Sequence, residues 1–198
     1  IGVALVGILG RPGRWSDRLT SGVLAAAWLW LGVVFFGRHA AQTDPLLGAI
    51  YGAMFVYQAF LFVGDGVLGD RLAFEACTRA TSQVGWAALG YALVAYPLIG
   101  LALGLGYPES PLFAMAPCPT AIATFGLLLL ARPPLPKHLL VIPSIWAVLA
   151  PLAAVGHGYL QDLGLFVVGA LAVALILRRD RVRGDDRAPR QPKQEALR

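Results

Sequence analysis

Few side chains in this 198-residue chain have the types and spacing for chemistry. The sharpest group is Pro117-Cys118-Pro119-Thr120, which opens a short apolar run. A proline-interrupted helix start aims its partial positive charge at whatever lies before it, so it can meet an anion or a substrate. The same end makes a nearby thiol more reactive, which keeps redox or soft-metal chemistry at Cys118 open. Against these stands the plainer reading of a helix start stiffened by two prolines, with Cys118 as a small buried residue, and that reading weighs more. His157 and Asp162 flank a later turn and with Cys118 form a weak candidate for a proton or metal site. The simpler role for Asp162 is to cap the helix that follows it. Tyr96, Tyr107 and Gln58 complete the candidate ligand set, with Thr120 beside Cys118. Tyr57 with Gln58 and Tyr91 with Tyr96 are polar groups inside apolar runs, and such groups mostly satisfy one another between helices. No cofactor is indicated.

The elements that must position these residues are apolar runs at about 19–37, 46–64, 84–104, 118–131, 139–156 and 160–177, with residues 1–9 reading as the end of one more. Hydrophobic residues make up 58% of the chain and charged residues 14%, where a soluble domain carries about 25% charged. Mean hydropathy is +0.68. About 18 to 20 apolar residues in a helix cross a hydrocarbon core of roughly 30 Å. Three runs reach that length and tilt accommodates the rest. The expected fold is an all-α polytopic transmembrane bundle of six complete spans plus the end of a truncated N-terminal span. Residues 1–177 form the bundle and 178–198 a disordered basic tail.

Fifteen of the sixteen Lys and Arg residues sit on alternate connections or in the tail. Arg11, Arg14 and Arg18 lie in the first gap, Arg71 and Arg79 in the third, Arg132 and Lys137 in the fifth, and eight more follow Leu177; only Arg38 breaks the pattern. Basic loops stay on the cytoplasmic side during insertion, so the alternation places the C-terminus there and Cys118 toward the outside. The net charge of +5 and pI near 9.6 then point to anionic lipid headgroups at the cytoplasmic face rather than to nucleic acid. A second copy or a larger membrane complex is a possible partner.

Local signals fill in the loops. Ser16 or Asp17 can cap the first complete helix, and Asp44-Pro45 suits the start of the second. Trp28 and Trp30 lie mid-span, where packing against neighbours explains them better than a headgroup belt does. Gly64 to Asp70 reads as a break followed by a polar loop, and it lacks the Lys-Ser/Thr ending of a phosphate-cradling loop. Pro97 should kink its helix. Arg132-Pro-Pro-Leu-Pro-Lys137 reads as a stiff turn. Cys77 and Cys118 fall on opposite sides of the membrane, which argues against a disulfide. No Asp, Glu, Lys or Arg lies squarely within a run, and this counts against a charge-coupled pump.

Arg11-Pro-Gly-Arg-Trp-Ser-Asp-Arg18, Tyr96-Pro-Leu-Ile-Gly100, Gly106-Tyr-Pro108, Ala116-Pro-Cys-Pro-Thr120 through Leu130 and Asp162-Leu-Gly164, taken together, resemble the DUF6064 family of bacterial membrane proteins. The likeness covers most of residues 11–177, and Pro-Cys-Pro-Thr is its most specific part. It implies a multi-span helical protein and supplies no activity, substrate or cofactor. The residues therefore support a non-enzymatic membrane protein that binds or passes a small solute or ion near Pro117–Thr120. An accessory subunit of a larger complex comes second, and a thiol or metal site at Cys118 third.

Overall fold

A computed structural model describes residues 2–11, 13–75, 78–104, 112–157 and 162–187. Its described elements are helical apart from one isolated β-bridge, Phe74 to Ala131. In chain order they are α1 (Gly2–Leu9), α2 (Arg14–Thr43), α3 (Pro45–Leu68), α4 (Arg79–Ala102), α5 (Pro117–Leu130), α6 (Val141–His157) and α7 (Leu163–Arg187). A single turn of 3-10 helix, Lys137–Leu140, leads into α6.

Helices α2, α3 and α4, of 30, 24 and 24 residues, are long and apolar enough to cross a membrane. At 1.5 Å per residue even the shorter two reach about 36 Å. α5 is different. Its 14 residues span only about 21 Å, and every one of them is buried. A helix that is apolar all round must be enclosed by others, and α5 packs against α2, α4, α6 and α7. The outer surface is correspondingly apolar, with Trp30 on α2, Phe60 on α3, Leu98 on α4, Leu152 on α6 and Phe166 on α7 all exposed.

Two glycine pairs set the closest approaches. A Cβ on Gly126 of α5 would lie 2.9 Å from the carbonyl oxygen of Gly85 on α4, and one on Gly32 of α2 would lie 2.8 Å from that of Gly52 on α3. Backbones this close need small residues, the usual means of packing helices whose surfaces are all apolar. Between the pairs lies an aromatic core in which Phe55 stacks on Trp28 at 4.5 Å between centroids and meets Trp146 edge-on at 5.2 Å. The Trp28 indole N–H also donates to the Thr124 hydroxyl across 3.0 Å. Trp28 thus packs inside as expected, while Trp30 faces outward.

Several sequence boundaries move. α2 starts at Arg14 behind Gly13 without a side-chain cap. Ser16 instead donates to the Ile8 carbonyl, and the Asp17 carboxylate accepts the Phe74 N–H at 2.8 Å. Asp44 caps α3 as read, accepting the Leu47 N–H at 3.0 Å with Pro45 in the first turn. Gly64 does not end α3, which runs on in widened π turns to Leu68 and carries Asp65 into the fold. Similarly α7 continues to Arg187, ten residues past the expected boundary at 177. Residues 188–198, Cys77 and Tyr107 lie outside the described residues.

The basic connections meet at one end. Arg14 and Arg18 both pair with Asp70, Arg71 pairs with Asp65 at 3.1 Å, and His138 also pairs with Asp65. The Arg132 N–H donates to the Ala73 carbonyl at 2.7 Å, its guanidinium reaches Glu75 at 3.2 Å, and the Leu135 N–H donates to Asp180 at 2.9 Å. The first, third and fifth gaps and the late part of α7 therefore form one polar layer.

Gly126→Val forces a side chain onto the Gly85 carbonyl and should cost about 1–3 kcal/mol, read as a lowered Tm in detergent. Gly22→Ala, where a Cβ meets nothing within 4 Å, should leave the Tm unchanged or slightly raised. At the polar layer, hydrogen bonds from Arg18 and then Arg14 lower the Asp70 carboxyl from the ordinary 3.8 to about 2. A depressed carboxyl stabilises the fold fully above its unfolded value and loses that contribution as pH falls through the folded one. The latch should hold down to about pH 4 and open between there and pH 2. The carbon-13 shift of the labelled Asp70 carboxyl checks this, and Arg18→Gln should move its midpoint upward.

Candidate functional site

The opposite end of the bundle gathers a different set of groups. Pro97 has no N–H to donate and its ring crowds the carbonyl four residues back. The helix answers with a widened turn over Tyr91–Ala95, in which the Tyr96 N–H bonds the Tyr91 carbonyl, five residues before it. That turn sets Tyr91 and Tyr96 above one another, with rings at 87° and 6.3 Å between centroids. Pro97 therefore positions two phenols on one face of α4.

The Tyr96 hydroxyl donates to the Asp162 carboxylate at 2.6 Å. Asp162 stands just before α7, and the next turn supplies Gly164, where a Cβ would lie 2.4 Å from the Tyr91 hydroxyl. The Cys118 thiol, in the first turn of α5, also lies against Asp162. Trp146 of α6 comes up to the Cys118 sulfur, and its indole N–H has no oxygen or nitrogen partner among the described residues. Tyr96, Cys118 and Asp162 are 4%, 8% and 9% exposed, so the group is closed. Thr120 holds the α5 start itself: its hydroxyl accepts the Ala114 N–H at 2.9 Å and donates to the Ala116 carbonyl at 2.7 Å.

Asp162 differs from the carboxylates of the polar layer. Asp65, Asp70, Glu75 and Asp180 each face a basic side chain. Asp162 is met by neutral donors alone among the described residues. A carboxylate enclosed this way can exchange a proton or take a cation, and its donors fix its orientation.

Of the residues singled out from sequence, Tyr96, Cys118 and Asp162 come together, and Pro117 and Thr120 adjoin Cys118 in the first turn of α5. Gln58 does not join them. It is fully buried on α3, its amide donating to the Leu139 carbonyl at 3.2 Å at the start of α6, while its own carbonyl oxygen has no partner among the described residues. His157 lies in α6, with its side chain outside the described residues. Among the described residues no three of His, Cys, Asp and Glu gather as a metal would require. Asp162 immediately precedes α7, at the expected cap position, and its carboxylate also accepts the Tyr96 hydroxyl of α4. Sequence reasoning missed Trp146, which looks like any large residue in an apolar run, and Asp65, which it placed in a loop.

Tyr96-Pro97, Pro117-Cys118-Pro119-Thr120 and Asp162-Leu163-Gly164, three of the stretches that carry the family likeness, meet here. The chain belongs to the DUF6064 family. The family model, for a family of unknown function, matches residues 1–187. No curated protein and no solved structure matches the chain.

The Tyr96–Asp162 bond should be measurable by a double-mutant cycle. Tyr96→Phe, Asp162→Asn and the double variant are compared by unfolding in detergent. Hydrogen bonds to charged groups contribute about 1.5–3 kcal/mol, so the coupling between the two sites should be on the order of 1–3 kcal/mol. Simple additivity would show that the contact contributes nothing.

Proposed function

We propose that this protein is a non-enzymatic, multi-span membrane protein that binds and passes a small ion, the proton being the simplest, at Asp162. The polar layer would face the cytoplasm, because basic loops are retained on that side, and Asp162 would then lie toward the outer face. α6 and α7 would cross beside α2, α3 and α4, for six complete spans. α5 is the sixth despite its length, since a helix wrapped by protein need not match the bilayer thickness.

The observation that carries the reading is a buried carboxylate held by neutral donors within an otherwise apolar bundle. An ionisable residue at such depth marks an ion pathway or a proton relay more often than it serves packing. The closed site favours the proton, which adds no volume among Tyr96, Cys118 and Asp162.

The test is flux. The protein is reconstituted in vesicles loaded with a pH-reporting dye, under a potassium diffusion potential. Wild type should change internal pH several-fold faster than protein-free vesicles, and Asp162→Asn should return the rate to background while still folding. A wild-type rate equal to that of empty vesicles, or an unaffected variant, rejects the proposal.

The low exposure of Cys118 favours a second reading, an accessory subunit without a site of its own. Labelling and co-purification together separate the two. A membrane-impermeant maleimide should reach Cys118 from the outer side if the site opens during turnover, whereas an accessory subunit leaves the thiol unlabelled. Co-purification with a stoichiometric partner then identifies the accessory role.

A further inference from the structure

The polar layer contains a cleft that neither the ion reading nor the packing accounts for. It lies between the start of α4 and the late part of α7 and encloses about 460 Å³. Leu175, Arg178, Arg179, Val182 and Arg183 line one wall. Their spacing of three, four, seven and eight residues places them on a single face of α7. Thr78 and Thr81, at the start of α4, line the other.

The arginines divide into two kinds. Arg179 is buried and committed: its guanidinium donates to the carbonyls of Leu129 at 2.8 Å and Leu128 at 3.4 Å, and to Asp180 at 3.1 Å. Arg178 and Arg183 are exposed, line the same cleft, and have no hydrogen-bond or ion-pair partner among the described residues. Asp65, Asp70, Glu75 and Asp180 at this end already have partners in Arg14, Arg18, Arg71, Arg132, His138 and Arg179, and Asp17 accepts the Phe74 N–H. The face also changes character along its length. Leu175 belongs to the uncharged stretch of α7 that ends at Leu177, and the arginines begin directly after it. A molecule that fills this cleft needs a negative head at the level of Arg178 and Arg183 and an apolar body against Leu175 and Val182.

We propose that this cleft is a binding site for one anionic phospholipid of the leaflet that contacts the polar layer. Its phosphate would sit between Arg178 and Arg183, with the Thr78 hydroxyl at its rim and an acyl chain descending along Leu175. Basic pockets between helices at a membrane surface recognise headgroups by this combination of charge and apolar wall. The proposal rests on the membrane placement given above but is independent of any ion at Asp162.

Binding is measured on the full chain in neutral detergent, with phosphatidylglycerol as the probe, by native mass spectrometry and by the Tm shift. Phosphatidylglycerol should bind saturably at one site and raise the Tm, and phosphatidylcholine should do neither. Each basic group near a headgroup contributes about 1 kcal/mol, so Arg178→Gln/Arg183→Gln should weaken binding on the order of thirtyfold. Arg11→Gln/Arg181→Gln removes the same charge elsewhere on this end and should leave the affinity within about twofold. Equal losses in the two double variants would reduce the effect to diffuse attraction and overturn the site. Competition by millimolar inorganic phosphate would overturn the lipid as occupant. A chain that stays soluble without detergent would instead remove the membrane placement, an outcome seen before any lipid is added.

Discussion

Enclosing α5 is the constraint on which the rest depends. A helix leaves unpaired N–H groups at its start and unpaired carbonyls at its end, and in apolar surroundings no water is present to satisfy them. α7 attends to both ends. Its late Arg179 donates to the Leu128 and Leu129 carbonyls, where the helix carries partial negative charge. Asp162, just before its first turn, lies against the Cys118 thiol in the opening turn of α5, where the partial charge is positive. The 17 residue steps from Asp162 to Arg179 rise about 26 Å, slightly more than the length of α5. The two helices therefore run parallel with their charges matched. A shorter α7, or one broken at Leu177, could not reach both ends.

This arrangement explains why the polar groups are so unevenly divided. At the Arg179 end, the alternate connections supply carboxylates and an excess of basic side chains, and the carboxylates Asp65, Asp70, Glu75 and Asp180 pair off into a layer that ties α2, α3, α6 and α7 together. At the Asp162 end, the connections carry few charges, and among the described residues the Asp162 carboxylate is met by the neutral Tyr96 hydroxyl with the Cys118 thiol beside it. The first end holds its shape through paired charges, and the second through neutral contacts.

The features legible in the sequence were those set by local chemistry or by the distribution of charge. Asp44-Pro45 marks a helix start because cap and ring act within one turn. The alternating arginines correctly predict which connections share an end, since that pattern reflects the whole chain. What the sequence hid was decided between elements. Gly64 and Gly66 look like a break, yet Gly66 lies close against Ser21 of α2, and α3 continues past it with Asp65 paired to His138 and Arg71. Asp162 has the pattern of a cap, and Arg179 looks like one more tail charge. Each is held across the bundle, Asp162 by Tyr96 of α4 and Arg179 by the Leu128 and Leu129 carbonyls of α5, partners that no local window contains. Gln58 lies apart from these groups for the same reason: its depth along α3 matches the start of α6, not the start of α5.

Proline links the sequence most directly to the candidate site. Pro97 removes one backbone hydrogen bond from α4, and the widened turn that accommodates it brings Tyr91 and Tyr96 onto the same face. Pro117 and Pro119 free the first turn of α5 from backbone donors that would otherwise need partners, so Cys118 and Thr120 can supply the polar contacts there. Gly164 then lets α7 come against the Tyr91 hydroxyl, which brings Asp162 within reach of Tyr96. One departure from regular helix, two prolines at a helix start and one glycine at a close approach thus all bear on the surroundings of one carboxylate. An apolar residue at position 162 would leave the buried Tyr96 hydroxyl without the acceptor it has at 2.6 Å.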